Sequence, residues 1–512
     1  MPSARRLVLL LTACCLLVVG LAPTAAAQAQ SDLPSGRTSY RTYDEYVADM
    51  AALVQARPDL VAPFTLPEPT SSGRTVHGIE ITDDVEVDDG KPVFVLVGEH
   101  HGNEWPAGEL VMEWAIDLVQ SADDPAVADL LDRARVVVVP VVNVDGHIRG
   151  RRQTDTNVDM NRNYGLGWLP IPTGGPAPWS EPETRNMKWL LETRQATVFV
   201  TQHTCLQLVL YPPLQLEAGP TQDEARFIEL ASEMADYYGS RHMRSAEDYE
   251  TTGEAIDWAY YATRGLALTV ETCPDPSEGR TFQTQVIDDY PGHRQAMFAA
   301  LRHAADTDEH ARITGTAPQS AILEVSKSFD LWTSPFPQPD GTTRPVSFGN
   351  TLVSDMEVTD PSGAFTMAVN PSYRPVPAYQ ETGVHGNQTE FYDEPWTLTC
   401  ARPDGTVIQV ERVRVDLGDV AEVDLGKCER HFDPCPQPDP SATVVVGGVD
   451  TGVPNRDSGY GCTINQLLAD TSRTDTRTFV QHVNLFLRDL HEDGVIDGHE
   501  RGRITRAAVR RS

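Results

Sequence analysis

What this chain lacks narrows it first. After residue 21 no stretch approaches the ~18 apolar residues of a membrane-spanning helix. Positive charge is scarce: 41 Lys and Arg stand against 74 Asp and Glu, a formal net charge of −33. So acidic a chain does not suit a nucleic-acid backbone or an anionic membrane surface, and it favours solubility. No internal repeat is evident, so nothing points to a repeat array. Cysteine is sparse, and two of the eight, Cys14 and Cys15, lie in the N-terminal apolar run. The other six are Cys205, Cys273, Cys400, Cys428, Cys435 and Cys462. An even number in an exported chain suggests disulfides, although six cysteines allow fifteen pairings.

Export is what the N-terminus implies. Arg5 and Arg6 precede an apolar run from Leu7 to Leu21, and small residues follow in "TAAAQAQ". Residues 1–29 read as a secretory signal peptide with cleavage after Ala27 or Ala29, so a secreted, soluble mature protein without a membrane span is expected. The chain's 512 residues exceed one ordinary core, and two or three domains are expected.

From about residue 40 to 310, strand-like runs alternate with helical patterns. "KPVFVLVGE" (91–99), "RVVVVPVVN" (135–143), "ATVFVTQH" (196–203) and "LALTVET" (266–272) are nearly continuous apolar stretches, as strands covered on both faces should be. Between and after them lie helical patterns at 105–122, 223–240 and 292–306. This predicts an α/β fold with a mixed, mostly parallel sheet flanked by helices. After about 312 the pattern turns to short strands with Gly, Pro and Asp turns, predicting a small antiparallel β-sandwich over 311–428. The Pro-rich 429–445 reads as a linker, and 446–512 as a helical C-terminal region.

His101 and Glu104, at i and i+3, follow the strand predicted at 91–99, and His203 ends the one at 196–203. Ligands of open α/β sheets bind beyond the carboxyl ends of strands. Catalytic zinc takes three imidazole or carboxylate ligands and leaves the fourth position to water. Either piece alone is weak, because H-x-x-E recurs by chance and strand-end histidines are commonly surface groups.

A series of segments in order makes this chain resemble the zinc carboxypeptidase family, typified by pancreatic carboxypeptidase A, over roughly residues 40–305. "YRTYDEYVADMAALVQARPDLV" is similar to that domain's first helix, and "GEHHGNEW" to its first ligand motif. "PVVNVDG" is similar to its N-P-D-G strand end, with Val144 replacing Pro, and "VDMNRNY" to its D-x-N-R-N segment. "PWSEPET" and "TQHTCLQLVLYP" follow, and "YETTGEAIDWAY" with "LALTVET" places Tyr249, Asp257 and Glu271 at the family's spacing. The resemblance implies a zinc metallocarboxypeptidase domain at 38–310. Zinc would be held by His101, Glu104 and His203, with His100 a neighbour only. Glu271 would be the general base and Arg149 the oxyanion cation, with Arg151 and Arg152 close by as alternatives. Asn161 and Arg162 would bind the terminal carboxylate of a peptide or protein substrate, and Tyr249 would close over it. Asn163 could be structural, Glu181 and Glu183 would be helix-start acids, and Glu99 and Glu109 second-sphere or surface groups.

The same resemblance puts Ile256 at the pocket floor and Thr269 beside it, implying hydrophobic or aromatic C-terminal residues. It implies no inhibitory pro-domain. If His203 and Glu271 sit on neighbouring strands, Cys205 and Cys273 form a disulfide beside the site; free thiols or a thiol in the metal shell are the alternatives. Cys400 with Cys428 and Cys435 with Cys462 are the simplest remaining pairs. The sandwich resembles the transthyretin-like modules of some regulatory carboxypeptidases, beside the plainer reading of a generic β-domain. "DLHEDGVIDGHE" (489–500) has calcium-loop offsets, but His491 at position three is a poor ligand, so a plain acidic helix–turn–helix is preferred to Ca²⁺. Asn387 begins a glycosylation sequon. Two other functions compete: a zinc amidohydrolase on cell-wall peptides, and a catalytically silent binding module, against which intact His101, Glu104, His203 and Glu271 speak.

Overall fold

The computed structural model describes residues 31–273, 279–377, 391–435, 437–469 and 475–510. The signal-peptide reading and the Asn387 sequon lie outside them. Eight strands form the large sheet: β1 (Val61–Thr65), β2 (His77–Ile81), β3 (Val93–Gly98), β4 (Arg135–Val139), β5 (Ala196–His203), β6 (Leu208–Tyr211), β7 (Arg241–Arg244) and β8 (Leu266–Glu271). Their order is β1-β2-β4-β3-β5-β8-β6-β7. The central strands β4, β3, β5 and β8 run parallel, while β2 and β6 join that block antiparallel. Every residue of β3, β4 and β5 is buried, which explains their unbroken apolar sequences.

Among the described residues nine α-helices flank the sheet: α1 (Tyr43–Ala56), α2 (Trp105–Gln120), α3 (Pro125–Arg133), α4 (Val144–Arg149), α5 (Pro182–Arg194), α6 (Glu224–Tyr238), α7 (Ser245–Asp248), α8 (Ala255–Thr263) and α9 (Tyr290–Ala304). Residues 140–143, expected to extend a strand, leave the sheet because Asn143 caps α4, its side chain accepting from the Gly146 N–H at 3.0 Å. Helix α2 is buried almost all round and carries acids inward. Its Glu109 and Glu113 are held by the buried Arg41, and its Asp117 by Arg294.

The region after 310 is built on two main sheets, with small two-stranded ladders beside them. One orders Ser347–Glu357, Ile322–Trp332, Trp396–Ala401 and Val407–Val413 antiparallel; the other orders Ala364–Val369, Ala311–Thr316 and Val420–Asp424. The sandwich is not wholly antiparallel, since Val420–Asp424 runs parallel to Ala311–Thr316. The C-terminal region is not wholly helical either: a hairpin of Thr443–Val446 and Val449–Pro454 precedes the helices Thr476–Glu492 and Gly498–Val509. Its buried side chains and those of the sandwich form one contiguous cluster, from Ala311 to Ala508. Disulfides join Cys400–Cys428 and Cys435–Cys462. No helix among the described residues is long and apolar enough to cross a membrane.

The sandwich is docked on the first domain by buried polar groups. Arg374, 1% exposed, donates Nη1 to the Tyr261 carbonyl of α8 at 2.9 Å, and Nε and Nη2 to Glu394 at 2.8 and 2.7 Å. Its guanidinium stacks over the Phe329 and Tyr392 rings, 4.0 and 4.6 Å from their centroids. Removing one partner of a buried pair strands the other. Arg374→Met should therefore lower unfolding free energy by about 3 kcal/mol in urea denaturation. A loss below about 1 kcal/mol would mean that packing alone docks the sandwich.

Candidate active site

The ends of the parallel strands position the site. β3 stops at Gly98, and the following turn delivers His100 and His101; Glu104 then caps the start of α2. This turn lies against α4 so closely that a Cβ on Gly102 would stand 2.2 Å from the Gly146 carbonyl carbon, which only glycine permits. His203 ends β5 and Glu271 ends β8, and the parallel register sets the two directly opposite each other. Cys205 and Cys273, two residues beyond each, form a disulfide across the same strand ends.

His101 Nδ1 lies 2.8 Å from Glu104 Oε1, and His203 Nδ1 lies 3.1 Å from Glu104 Oε2 and 3.2 Å from His101 Nδ1. All three ligating atoms fall within 4.8 Å of one another, and among the described residues this is the one group of three such side chains so gathered. Two imidazole nitrogens facing each other beside a carboxylate fit zinc, which takes N and O donors at tetrahedral spacing. Beyond them, His101 Nε2 lies 3.2 Å from Asp159 Oδ1, and Arg152 Nε donates to Asp159 Oδ2 at 2.9 Å. Asp159 thus fixes which ring nitrogen His101 turns toward the metal. His100 is not a ligand: its ring stacks on His203, with nitrogens at Tyr164 Oη (2.7 Å) and Thr201 Oγ1 (2.8 Å).

Electrostatics follow the same arrangement. Burial pulls the His101 imidazolium down, but Glu104 and Asp159 more than reverse this, to about 9. Burial works to raise Glu104, and His101 and His203 overcome it, holding the carboxyl well below its ordinary value. Burial, reinforced by Glu104, pushes the Glu271 carboxyl up. A bound divalent cation opposes that rise.

A cavity of about 180 Å³ opens beside the triad, lined by Arg152, Asn161, Arg162, Leu206, Leu210, Ser245, Asp248, Tyr249, Glu254 and Thr269 together with His101, Glu104, His203 and Glu271. It is smaller than the ~300–1,000 Å³ of drug-sized ligand pockets and suits one residue rather than a peptide. Arg162 Nη1 donates to Glu254 Oε1 at 2.8 Å and Nη2 to the Tyr249 hydroxyl at 3.1 Å. Asn161 Oδ1 accepts from the Ala255 N–H at 3.0 Å, tying the 249–255 loop to the segment that carries Asn161 and Arg162.

Two expected residues are not brought here. Arg149 ends α4 with its side chain 45% exposed, paired with Asp155 at 2.7 Å and absent from the cavity wall. The positively φ-angled Gly150 turns the chain after it, and Arg152 reaches the site instead, 3.5 Å from Glu104. Ile256 is 1% exposed and packs in the hydrophobic core, because α8 turns it inward; Glu254, two positions earlier, meets the cavity. With Ile256 removed from the wall, the expectation of hydrophobic or aromatic C-terminal residues loses its basis, although Thr269 remains there. Glu99 and Glu109 are neither ligands nor surface groups: Glu99 pairs with His147 at 2.7 Å, and Glu109 with Arg41. Missed from sequence were the orienting role of Asp159, which was visible as the first residue of D-x-N-R-N, and Asp248 and Glu254, which no pattern flagged.

Residues 46–292 match the family model for zinc carboxypeptidase. These residues are a zinc carboxypeptidase domain. The chain is 24% identical over 285 residues to the zinc carboxypeptidase of Saccharothrix mutabilis subsp. capreolus, covering 48% of this chain and 64% of that one. It is 25% identical over 261 residues to mast cell carboxypeptidase A of Rattus norvegicus, covering 44% and 62%. The chain thus spans less than two thirds of either relative. Carboxypeptidase A from Helicoverpa armigera superposes with a TM-score of 0.48 at 21% identity, covering 55% of this chain and 78% of that one. The match ends before the sandwich, which lies outside the zinc carboxypeptidase domain.

The calcium-loop residues face partners in the chain. Asp489 takes Arg430 and His431, Asp493 takes Lys427 and Tyr460, Asp497 caps the last helix, and Glu500 pairs with Arg456. In the metal centre, Asp159→Ala should weaken zinc affinity about 10- to 100-fold by competition with a chromogenic chelator, with the fold intact by circular dichroism. Unaltered affinity would remove Asp159 from any part in orienting His101.

Proposed function

We propose that the protein is a secreted zinc metallocarboxypeptidase that hydrolyses the C-terminal peptide bond of peptides or proteins. The observation that carries this reading is the placement of Glu271 directly across from His203, with the Arg162 guanidinium lining the same small cavity. Zinc bound by His101, Glu104 and His203 supplies Lewis acidity and lowers the pKa of water. Glu271, whose Oε2 has no hydrogen-bond partner among the described residues, is placed to take the proton from the attacking water and return it to the leaving amine. Arg152 offers its guanidinium to the negative charge that develops on the carbonyl oxygen. Arg162 and Asn161 grip the substrate's terminal carboxylate, and the Tyr249 ring already lies over the guanidinium, 5.9 Å from its carbon. Because that grip needs a free carboxylate one residue from the cut, the activity is exopeptidase. Three disulfides suit an extracellular setting.

Mature protein incubated with a peptide mixture should release single C-terminal residues stepwise by mass spectrometry. A chelator should stop the release, and amidated peptides should resist. Glu271→Gln should lower kcat by about 10²–10⁴. Cleavage inside the peptides, or full activity with Glu271→Gln, would sink the reading. Zinc binding with no cleavage of ordinary peptides would redirect attention to cell-wall peptides. On any cleaved peptide, Arg152→Ala should cost about 10²–10³ in kcat, whereas Arg149→Ala should stay within a few-fold; the reverse order would restore Arg149.

A further inference from the structure

The walls of the substrate cavity carry two acids that the hydrolysis does not use. Glu254 is 5% exposed, and its Oε1 holds Arg162 Nη1 at 2.8 Å while Oε2 accepts no hydrogen bond among the described residues. Asp248, one position before Tyr249, sits exposed at the rim and pairs with no cation among the described residues. A third polar group lies in the same wall: the Thr269 hydroxyl is buried without a hydrogen-bond partner among the described residues. A buried polar atom left unpaired calls for a partner from elsewhere. Leu206 and Leu210 complete the wall with apolar surface.

We propose that this cavity receives a cationic side chain on the substrate's C-terminal residue, with Asp248 and Glu254 as the specificity-determining groups. The proposal rests on the carboxypeptidase reading and deepens it. Leu206 and Leu210 accommodate the methylene stem of a lysine- or arginine-like side chain, whose charged tip then reaches the carboxylates. The tip also supplies N–H donors to the Thr269 hydroxyl. An aromatic side chain in the same place would cover these groups without satisfying them, which costs free energy. Glu254 has a double position. It stays on Nη1 of Arg162 while the substrate carboxylate displaces the Tyr249 hydroxyl from Nη2, so one acid borders both the charge and the side chain of the terminal residue. Gly253, at φ +65°, makes this geometry attainable, because a Cβ there would stand 2.7 Å from the Arg162 carbonyl oxygen.

Two measurements on the zinc-loaded, full-length protein test this. The first is the ratio of kcat/KM for benzoylglycyl-arginine over benzoylglycyl-phenylalanine, in wild type, Asp248→Asn and Glu254→Gln. The second is equilibrium binding of the same two compounds to Glu271→Gln by calorimetry, which reads the cavity without turnover. The wild-type ratio should exceed about 10, and each substitution should lower it about tenfold or more through KM rather than kcat. Asp248→Asn keeps the interpretation clean, since Asp248 touches nothing in the carboxylate grip. Preference for phenylalanine in either measurement, or an equal loss on both substrates in both variants, would overturn the cationic pocket and leave the carboxypeptidase reading standing. Tighter binding of the arginine compound without its hydrolysis would uphold the pocket and overturn the carboxypeptidase reading instead.

Discussion

The site depends on how β5 and β8 lie together. Parallel strands have no turn between them to set their register, so the match of His203 to Glu271 is held by the ladder itself and by the burial of both faces. A slip of one residue would reverse each side chain's face and carry Glu271 away from His203. The Cys205–Cys273 disulfide joins these two strands just beyond the sheet. It lies where the ladder has ended and the backbone would otherwise be free to splay. A covalent tie two residues from His203 and two from Glu271 constrains their separation.

Around that pair the acids and bases are arranged by environment as much as by identity. Glu104 is buried and Glu271, at the end of β8, is half-buried; two imidazoles hold the first low, while desolvation and that first glutamate push the second up. Divergent environments of this kind suit two like side chains to different parts.

The sequence disclosed the centre of the molecule better than its edges. The central strands β3, β5 and β8 are legible because a strand covered on both faces needs an unbroken apolar run, and their ends are marked by the polar residues His101, His203 and Glu271. The flanking strands β1, β2, β6 and β7 carry mixed patterns, and β7 is "RHMR", which no propensity would make a strand. Its place comes from pairing with β6. Arg149 and Arg152 could not be separated by spacing, because the choice turns on a left-handed glycine between them. Ile256 was misplaced for a related reason: one turn of α8 decides which residue meets the cavity, and helix phase at a first turn is set by the cap and the packing rather than by the local letters. The Cys400–Cys428 and Cys435–Cys462 bonds join successive cysteines of the chain, but the shared core of sandwich and C-terminal helices was hidden by the prolines between them.

The sandwich strand Ser347–Glu357 contributes Asn350, whose Oδ1 accepts from the Trp258 indole N–H of α8 at 3.0 Å, and Phe348, whose ring meets Trp179 at 5.8 Å. Helix α8 begins immediately after Glu254. The accessory region is therefore part of the wall on which the loop bordering the cavity is seated. In evolutionary terms the two parts are not exchangeable cassettes. A chain that acquired a different C-terminal module would have to rebuild the far side of α8, and the choice of substrate would drift with it.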